Sequence, residues 1–427
     1  MASTGSGRPP LPHVLIIVEN LPVPFDTRVW QEAQALTANG YSVSIICPTG
    51  PAYERRFEVI EGVRIYRHPL PVEGRGALGF ALEYAAALFW ELLLATRVFL
   101  RHRFDIIHAC NPPDTIFLIA GLFKLLFGTK FVFDHHDLCP ELYEAKFHRR
   151  DAAHRALLLL ERLTFRIADV VISTNDSYRS VAIERSGKAP SDVVVVRSGP
   201  NMARIRVCPP DEALKRGKRF LVGYVGVIGV QEGISYLIDA VRHIVRDLGR
   251  TDIQFSIVGA GPALPSAKAY ARASGLDEYL SFTGRISDAA LMVVLNTADV
   301  CVNCDEFNPM NDKSTMNKVM EYMALGKPIV QFDLAEGRVS AQRASEYANP
   351  NDAKDMACKI VDLLDDPVKR TAMGAFGRQR VETALAWHHQ VPNLLAAYEL
   401  LWRSGLPASG DRPGHPSDGR RSRVLDA

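Results

Sequence analysis

The chain has no uninterrupted run of the ~18 apolar residues that a membrane-spanning helix requires, so no segment is expected to cross a bilayer. It has almost no excess of charge. Lys plus Arg number 50 against 48 for Asp plus Glu, so no global field points to nucleic acid. Seven cysteines, an odd number in a large chain, do not make the even framework of a secreted disulfide protein. Reduced thiols and a cytoplasmic setting are expected. Cys301 and Cys304 form a C-x-x-C, but no second pair or His cluster accompanies it, so neither metal nor redox use is expected there. The opening MASTGSGRPPLPH lacks the apolar core of a signal peptide and reads as a flexible leader, 1–12. A full G-x-G-x-x-G is also missing, since Leu264 takes the last place after Gly259 and Gly261.

What is present is an ordinary globular composition, 47% apolar and 23% charged, in 427 residues, enough for about two domains. Buried-strand runs recur at 13–18, 41–47, 63–68, 105–110, 130–136, 170–174 and 192–197, with helical spacing between most of them. After a Pro-, Arg- and Lys-rich stretch the alternation restarts, with strands at 220–226, 255–261, 280–284, 298–303 and 328–333. Alternating βα units imply parallel sheets covered on both faces. The expected domains are 13–199 and 219–385, joined by a linker at 200–218. A C-terminal helix at 386–403 is expected to pack back on the first domain, and a Gly-, Pro-, Ser- and Arg-rich tail, 404–427, is expected to be disordered. Two such sheets facing one another make a cleft outside the carboxyl ends of their strands.

The apolar region 77–103 is broken by Glu83 and Glu91 and ends in Arg97, Arg101, His102 and Arg103. It reads either as an internal helix or as an interfacial helix whose basic end meets anionic lipid. The apolar helix at 116–127, with Lys124, adds to the second reading.

Polar residues gather where strands leave the sheets. The first strand-to-helix loop carries Asp26 and Arg28, which could face the cleft, cap a helix or form a surface ion pair. FVFDHHDLCPEL places His135, His136 and Asp137 at a strand end, where an imidazole can move a proton or bond sugar hydroxyls; H-H-D lacks the spacing of common zinc motifs. The turn GYVGVIGVQEG, with Gly226 and Gly229, would let backbone approach a phosphate closely. Richest is 311–330, NDKSTMNKVMEYMALGKPIV. Ser314 or Thr315 is expected to cap a helix whose first turn favours an anion. Lys318 and Glu321 share one face of it, and Gly326 with Pro328 ends it. A cation and a dipole end beside a carboxylate suit a diphosphate with neighbouring hydroxyls, as in a nucleotide sugar. The alternative is an amphipathic helix with solvated charges.

Taken together, PFDTRVWQEAQAL, FDIIHACNPPD, FVFDHHDLCPELYEAKF and NDKSTMNKVMEYMALGKPIV resemble the retaining, nucleotide-sugar-dependent glycosyltransferases called family 4 or group 1. Within that family the chain is most similar to bacterial enzymes of surface-polysaccharide assembly, such as fucosamine transferases of O-antigen and capsule clusters. The resemblance implies the GT-B fold, two Rossmann-like doubly wound domains facing across a cleft. It implies a nucleotide-sugar donor, with UDP and an N-acetylated hexose as the leaning. A lipid-linked or other saccharide acceptor follows, with no cofactor, no metal and a peripheral place on the inner leaflet. It assigns Glu321 to the donor ribose and Ser314, Thr315 and Asn317 to the diphosphate. His136 falls beside the reacting sugar, and Asp26, Arg28 and Asp137 in the acceptor or cleft loop. Departures accompany it. Lys313 stands eight residues before Glu321, where the family has a first Glu, leaving Asp312 to contact the sugar. Val227 and Glu232 replace the usual Arg and Lys, so Lys318 is expected to carry the diphosphate charge. A sugar-nucleotide epimerase of the same fold and a non-catalytic sugar-nucleotide-binding partner are the competing readings.

Overall fold

A computed structural model describes residues 12–69 and 76–403. The leader and tail expectations, 1–12 and 404–427, fall outside the described residues except for Pro12. The first half runs β1 (His13–Ile17), α1 (Thr27–Ala38), β2 (Ser42–Pro48), β3 (Phe57–Ile60), β4 (Val63–His68), α2 (Gly76–Arg101), β5 (Ile106–Cys110), α3 (Phe117–Phe127), β6 (Lys130–His135), α4 (Cys139–Phe147), α5 (Ala152–Ile167), β7 (Val170–Ser173), α6 (Asp176–Ser186) and β8 (Val193–Val195). The second runs β9 (Phe220–Val225), α7 (Ile234–Arg246), β10 (Ile253–Val258), α8 (Leu264–Ala273), β11 (Leu280–Gly284), α9 (Asp288–Thr297), β12 (Val300–Asn303), α10 (Asn317–Ala324), β13 (Ile329–Phe332), α11 (Ala335–Ala341), β14 (Ser345–Ala348), α12 (Ala353–Asp365), α13 (Pro367–Arg380) and α14 (Val391–Arg403).

The first sheet has the order β3-β4-β2-β1-β5-β6-β7-β8 and the second β11-β10-β9-β12-β13-β14. All pairings are parallel except β3 with β4. Strands such as HVLII and VVIS are buried along their whole length, because helices cover both faces of a parallel sheet. In each sheet the chain order reverses beside the first strand, between β1 and β5 and between β9 and β12. That reversal leaves a crevice at the carboxyl ends, where ligands bind in open α/β sheets. The two crevices face each other. The fold is therefore the two-sheet GT-B arrangement.

Two strands were not legible in the text. β3 is a half-exposed edge strand, with Phe57 and Val59 open to solvent, and β14 is the polar SEYA. Neither has an apolar run. The helix at 77–103 is α2, and no helix among the described residues is long and apolar enough to cross a membrane.

After α13 the chain returns to the first half. Leu394, Ala397, Tyr398 and Leu401 of α14 are buried in the same cluster as β1, β2 and α1. The outward and return segments touch where Trp387 N donates to Pro200 O at 3.1 Å, and a Cβ on Gly199 would collide with the Leu385 carbonyl. Glycine is required there by close approach. Leu394→Ala is expected to cost about 3 kcal/mol of stability in a denaturant titration, the usual range for an emptied core site. A change below about 0.5 kcal/mol would mean that α14 is not a working part of the first core.

Candidate active site

One wall of the cleft is built on the ends of β1, β5 and β6. Asp26 caps α1, accepting from Val29 N at 3.1 Å. Arg28, in the first turn, points inward. Its Nε and Nη2 bond both carboxylate oxygens of Asp134, at 2.8 and 2.7 Å, and Nη1 donates to Val196 O and Ser198 Oγ at 3.0 Å. Glu32, one turn further on, lies 3.2 Å from Arg28. His108 stands 3.5 Å from Glu32 and 3.8 Å from Asp134, and its Nδ1 is 2.8 Å from the hydroxyl of Tyr398 on α14.

Asn111 shapes the end of β6. Its Oδ1 accepts from His136 N at 2.9 Å and Asp137 N at 3.1 Å, while Nδ2 donates to Asp137 O at 2.7 Å. The turn presents His136 to the cleft. His135 points the other way, fully buried 4.9 Å from the Phe165 ring and 3.5 Å from Glu161. His136 Nδ1 lies 3.4 Å from Asp134 Oδ2. Burial opposes charge on this ring, but Asp134 and then Asp137 outweigh it and raise the pKa to about 9. Burial also opposes charge on Asp134, yet Arg28 holds that carboxylate well below its ordinary range. Burial pushes the Asp137 and Glu32 carboxyls up. Glu32, His108, Cys110 and Asp134 bring possible ligand atoms within 4.8 Å of one another, the one such group among the described residues. Arg28 already bonds both Asp134 oxygens, supplying the positive charge an ion would bring.

The facing wall is the segment between β12 and α10. Here the structure corrects an expectation: the residue before α10 is Met316, and no side chain caps the helix. Ser314 Oγ donates to Met310 O and lies 2.8 Å from Tyr178 Oη, while Thr315 Oγ1 accepts from Asn175 Nδ2 at 3.0 Å. These hydroxyls join the two halves of the molecule instead. The first-turn N–H groups of α10 thus lack a side-chain acceptor among the described residues, an arrangement that favours an anion.

Lys318 is not a free cation. Its ammonium sits 2.9 Å from each oxygen of Asp305 and 4.9 Å from the Tyr224 ring centroid. Burial works against its charge, but Asp305 raises its pKa. Glu321 lies 3.4 Å from Arg204, which bonds Asp288 at 2.8 Å, and burial raises the Glu321 pKa.

The two walls enclose a cleft of about 620 Å³ that collects Asp26, Arg28, His136, Asp137, Ser314, Thr315, Asn317, Lys318 and Glu321. Similarity to known proteins agrees with this geometry. Residues 26–199 match the family described as "Glycosyl transferase 4-like domain" and residues 219–366 match "Glycosyl transferases group 1". The chain belongs to the group 1 glycosyltransferases. It is a retaining, nucleotide-sugar-dependent transferase of the hexosyltransferase type. It is 26% identical to the 2-deoxystreptamine glucosyltransferase of Streptomyces kanamyceticus over 79% of this chain and 88% of that one. It is 25% identical to the phosphatidyl-myo-inositol mannosyltransferase of Mycobacterium leprae over 90% and 95%. Anabaena HepE in complex with UDP-glucose shares the fold, at TM-score 0.68 and 15% identity over 93% of this chain and all of that one.

Three candidate residues of the transferase fall outside the cleft lining. Asp312 accepts from Ala335 N at 2.8 Å, at the start of α11. Gly226 and Gly229 are absent from the lining, while Val227, Gln231 and Glu232 of the same turn line the cleft. A Cβ on Gly226 would meet Tyr224 Oη at 2.8 Å. Arg28 borders the cleft, but its guanidinium is spent on buried partners. Lys313, which stands where the family has its first Glu, is also absent from the lining, and its carbonyl accepts from Asn175. Sequence reasoning missed Asp305, Tyr224, Arg204 and Asn175. Asp305 follows the last residue of β12 by two places, so the strand-end rule that singled out His136 would have found it. Arg204 lay in a stretch read only as linker.

A histidine pKa raised from 6.5 to about 9 contributes stability that is complete below 6.5 and disappears as pH rises through 9. An NMR titration of the His136 ring should give a midpoint about two units above an exposed histidine. A midpoint at or below the ordinary value would show that the Asp134 contact does not form in solution.

Proposed function

We propose that this transferase moves a hexosyl group, N-acetylated by the surface-polysaccharide resemblance of its motifs, from a UDP-sugar to a lipid-linked or saccharide acceptor in surface-polysaccharide assembly. The observation that carries the donor assignment is the uncapped N-terminus of α10, with Lys318 in its first turn and Glu321 one turn further on, opposite His136 across one cleft. A UDP-glucose complex of a protein with this fold and a relative named for a phosphatidyl-inositol acceptor support the donor and acceptor classes.

In this reading the donor diphosphate lies at the first turn of α10, near Asn317 and Lys318, and Glu321 accepts from the ribose hydroxyls. An ammonium has three donors, so Lys318 can hold Asp305 and still donate to a phosphate oxygen. The bond from the anomeric carbon to the diphosphate oxygen breaks as charge develops there, where Lys318 and the helix dipole stabilise it. The acceptor oxygen bonds the same face of that carbon, and its proton passes to the departing diphosphate. His136, protonated near neutral pH, acts as a hydrogen-bond donor to the transferring sugar, not as a base. Asp137 and Asp26 border the acceptor side.

Labelled UDP-sugars incubated with enzyme and membrane extract separate the readings. Label in the lipid phase supports transfer, an altered free nucleotide sugar indicates an epimerase, and binding without turnover indicates a partner protein. A thermal-shift screen of UDP, GDP and ADP sugars tests the base. Lys318→Ala should lower kcat by about a hundredfold or more, because it removes a cation and leaves Asp305 buried beside the diphosphate. Adding Asp305→Asn should recover part of the lost kcat, and a double variant no better than the single one would refute this account of the pair. Glu321→Ala should weaken donor binding about tenfold, and unchanged affinity would remove it from the ribose.

A further inference from the structure

Beneath the wall that carries His136 lies a closed cluster of polar side chains. Glu32, His108, Asp134 and Tyr398 are each 0% exposed, and none of them lines the cleft. One atom organises the cluster. Asp134 Oδ2 accepts from Arg28 Nε at 2.8 Å, and it also faces His136 Nδ1 at 3.4 Å and His108 Nε2 at 3.8 Å. Two imidazoles therefore compete for one carboxylate oxygen. Glu32 Oε2 lies 3.5 Å from the same His108 nitrogen.

The other side of His108 is settled by α14. Its Nδ1 is 2.8 Å from Tyr398 Oη, and that hydroxyl has no other hydrogen-bond partner among the described residues. A buried hydroxyl has to donate its proton, so Tyr398 donates and Nδ1 accepts. Burial, followed by Glu32, holds the phenol well above its ordinary range, so it keeps that proton. His108 is thereby fixed as a neutral ring with its one N–H on Nε2, facing two carboxylates. Charge then balances, with Arg28 and His136 against Asp134 and Glu32. A further cation on His108 would draw on Asp134 Oδ2 and oppose the proton on His136.

Tyr398 comes from far along the chain. β5 and β6 belong to the first half, whereas α14 follows the second half and crosses back beside Gly199. Its ring is held edge-on against Tyr41 at 5.4 Å between centroids, so the hydroxyl is placed by packing as well as by His108.

We propose that Tyr398 is a positioning residue for His136: by donating to His108 it keeps that ring uncharged and leaves Asp134 to the imidazole at the cleft. It touches no substrate and acts through two intervening side chains. Turnover thus needs α14 docked on the first half. The proposal rests on the reading of His136 as a donor to the sugar only for that effect on turnover. The charged groups that face His136 are Asp134 on β6, Asp137 in the next turn, and Arg28 and Glu32 on α1. Cys110 on β5 is uncharged, since burial pushes its thiol well up, and Asp26 and Lys318 border the same cleft.

Tyr398→Phe deletes the hydroxyl and keeps the ring against Tyr41. Nδ1 of His108 is then free to take a proton, with two carboxylates facing the ring. The NMR midpoint of His136 should fall by about one unit from its raised value, the usual size for a neighbouring charge. The basic limb of kcat against pH should move with it, a loss of about threefold at about pH 8.5 that shrinks toward neutrality. The UDP-sugar KM should stay as it is, because the cluster lies under the opposite wall. His108→Gln added to Tyr398→Phe should restore the midpoint, since an amide does not charge. A midpoint unmoved by Tyr398→Phe, or one that His108→Gln fails to restore, would overturn the proposal. Nitrogen NMR of wild type needs no variant and should show a proton on Nε2 of His108 alone at neutral pH; a ring protonated on both nitrogens would overturn it too. If the midpoint moves and the kcat profile does not, Tyr398 keeps its place and the role given to His136 fails.

Discussion

The bidentate pair of Arg28 and Asp134 holds the first half of this enzyme together. It is buried, and it joins α1 to β6 and, through Val196 and Ser198, to the chain leaving β8. Two further carboxyl and imidazole groups, Glu32 and His108, crowd against it, and His108 reaches Tyr398 on α14. Buried charges survive only when paired, and removing one partner of such a pair costs about 3–5 kcal/mol. The pair therefore fixes a geometry more than it adds stability. Its outward consequence is His136. Asp134 lies against that ring, so the imidazole bordering the cleft is held in its protonated form at neutral pH.

The second half solves a similar problem with Lys318 and Asp305. A lone ammonium at the mouth of a helix dipole would repel the dipole's positive end; Asp305 offsets this and holds the side chain over Tyr224. The usual basic residues of the family at Val227 and Glu232 are missing, and Glu232 adds a further carboxyl to the same wall. The proposed donor site would thus rely on backbone N–H groups and one shared cation. It also relies on the contact between halves, since Asn175 and Tyr178 reach across to Thr315 and Ser314.

Much of this was legible in one sequence because burial on both faces leaves long apolar runs. β1, β2, β6, β7 and β9 read as such runs, and α1 matches its periodicity from Thr27 to Ala38. Polar residues that follow such a run lie at a crevice, which is why His136 and Asp137 were found. β3 and β14 were missed because an edge strand needs no such run. Asp312 was misread because its backbone partner, Ala335, lies 23 residues away and no local pattern marks it. Ser314 and Thr315 have the chemistry of caps, but a stronger claim came from Tyr178 and Asn175 in the other half.

The sequence by itself determined two parallel sheets, the expectation of a cleft between them and the residue types at its rim, because these follow from periodicity and strand-end position. Tertiary structure alone decided the partners. Arg28 finds Asp134 across 106 positions, and Tyr398 finds His108 across 290. Which polar side chain faces substrate and which is consumed by a buried neighbour depends on those long-range pairings. A charge in a low-dielectric interior takes the nearest opposite charge that the fold delivers, and nothing local encodes which one that is.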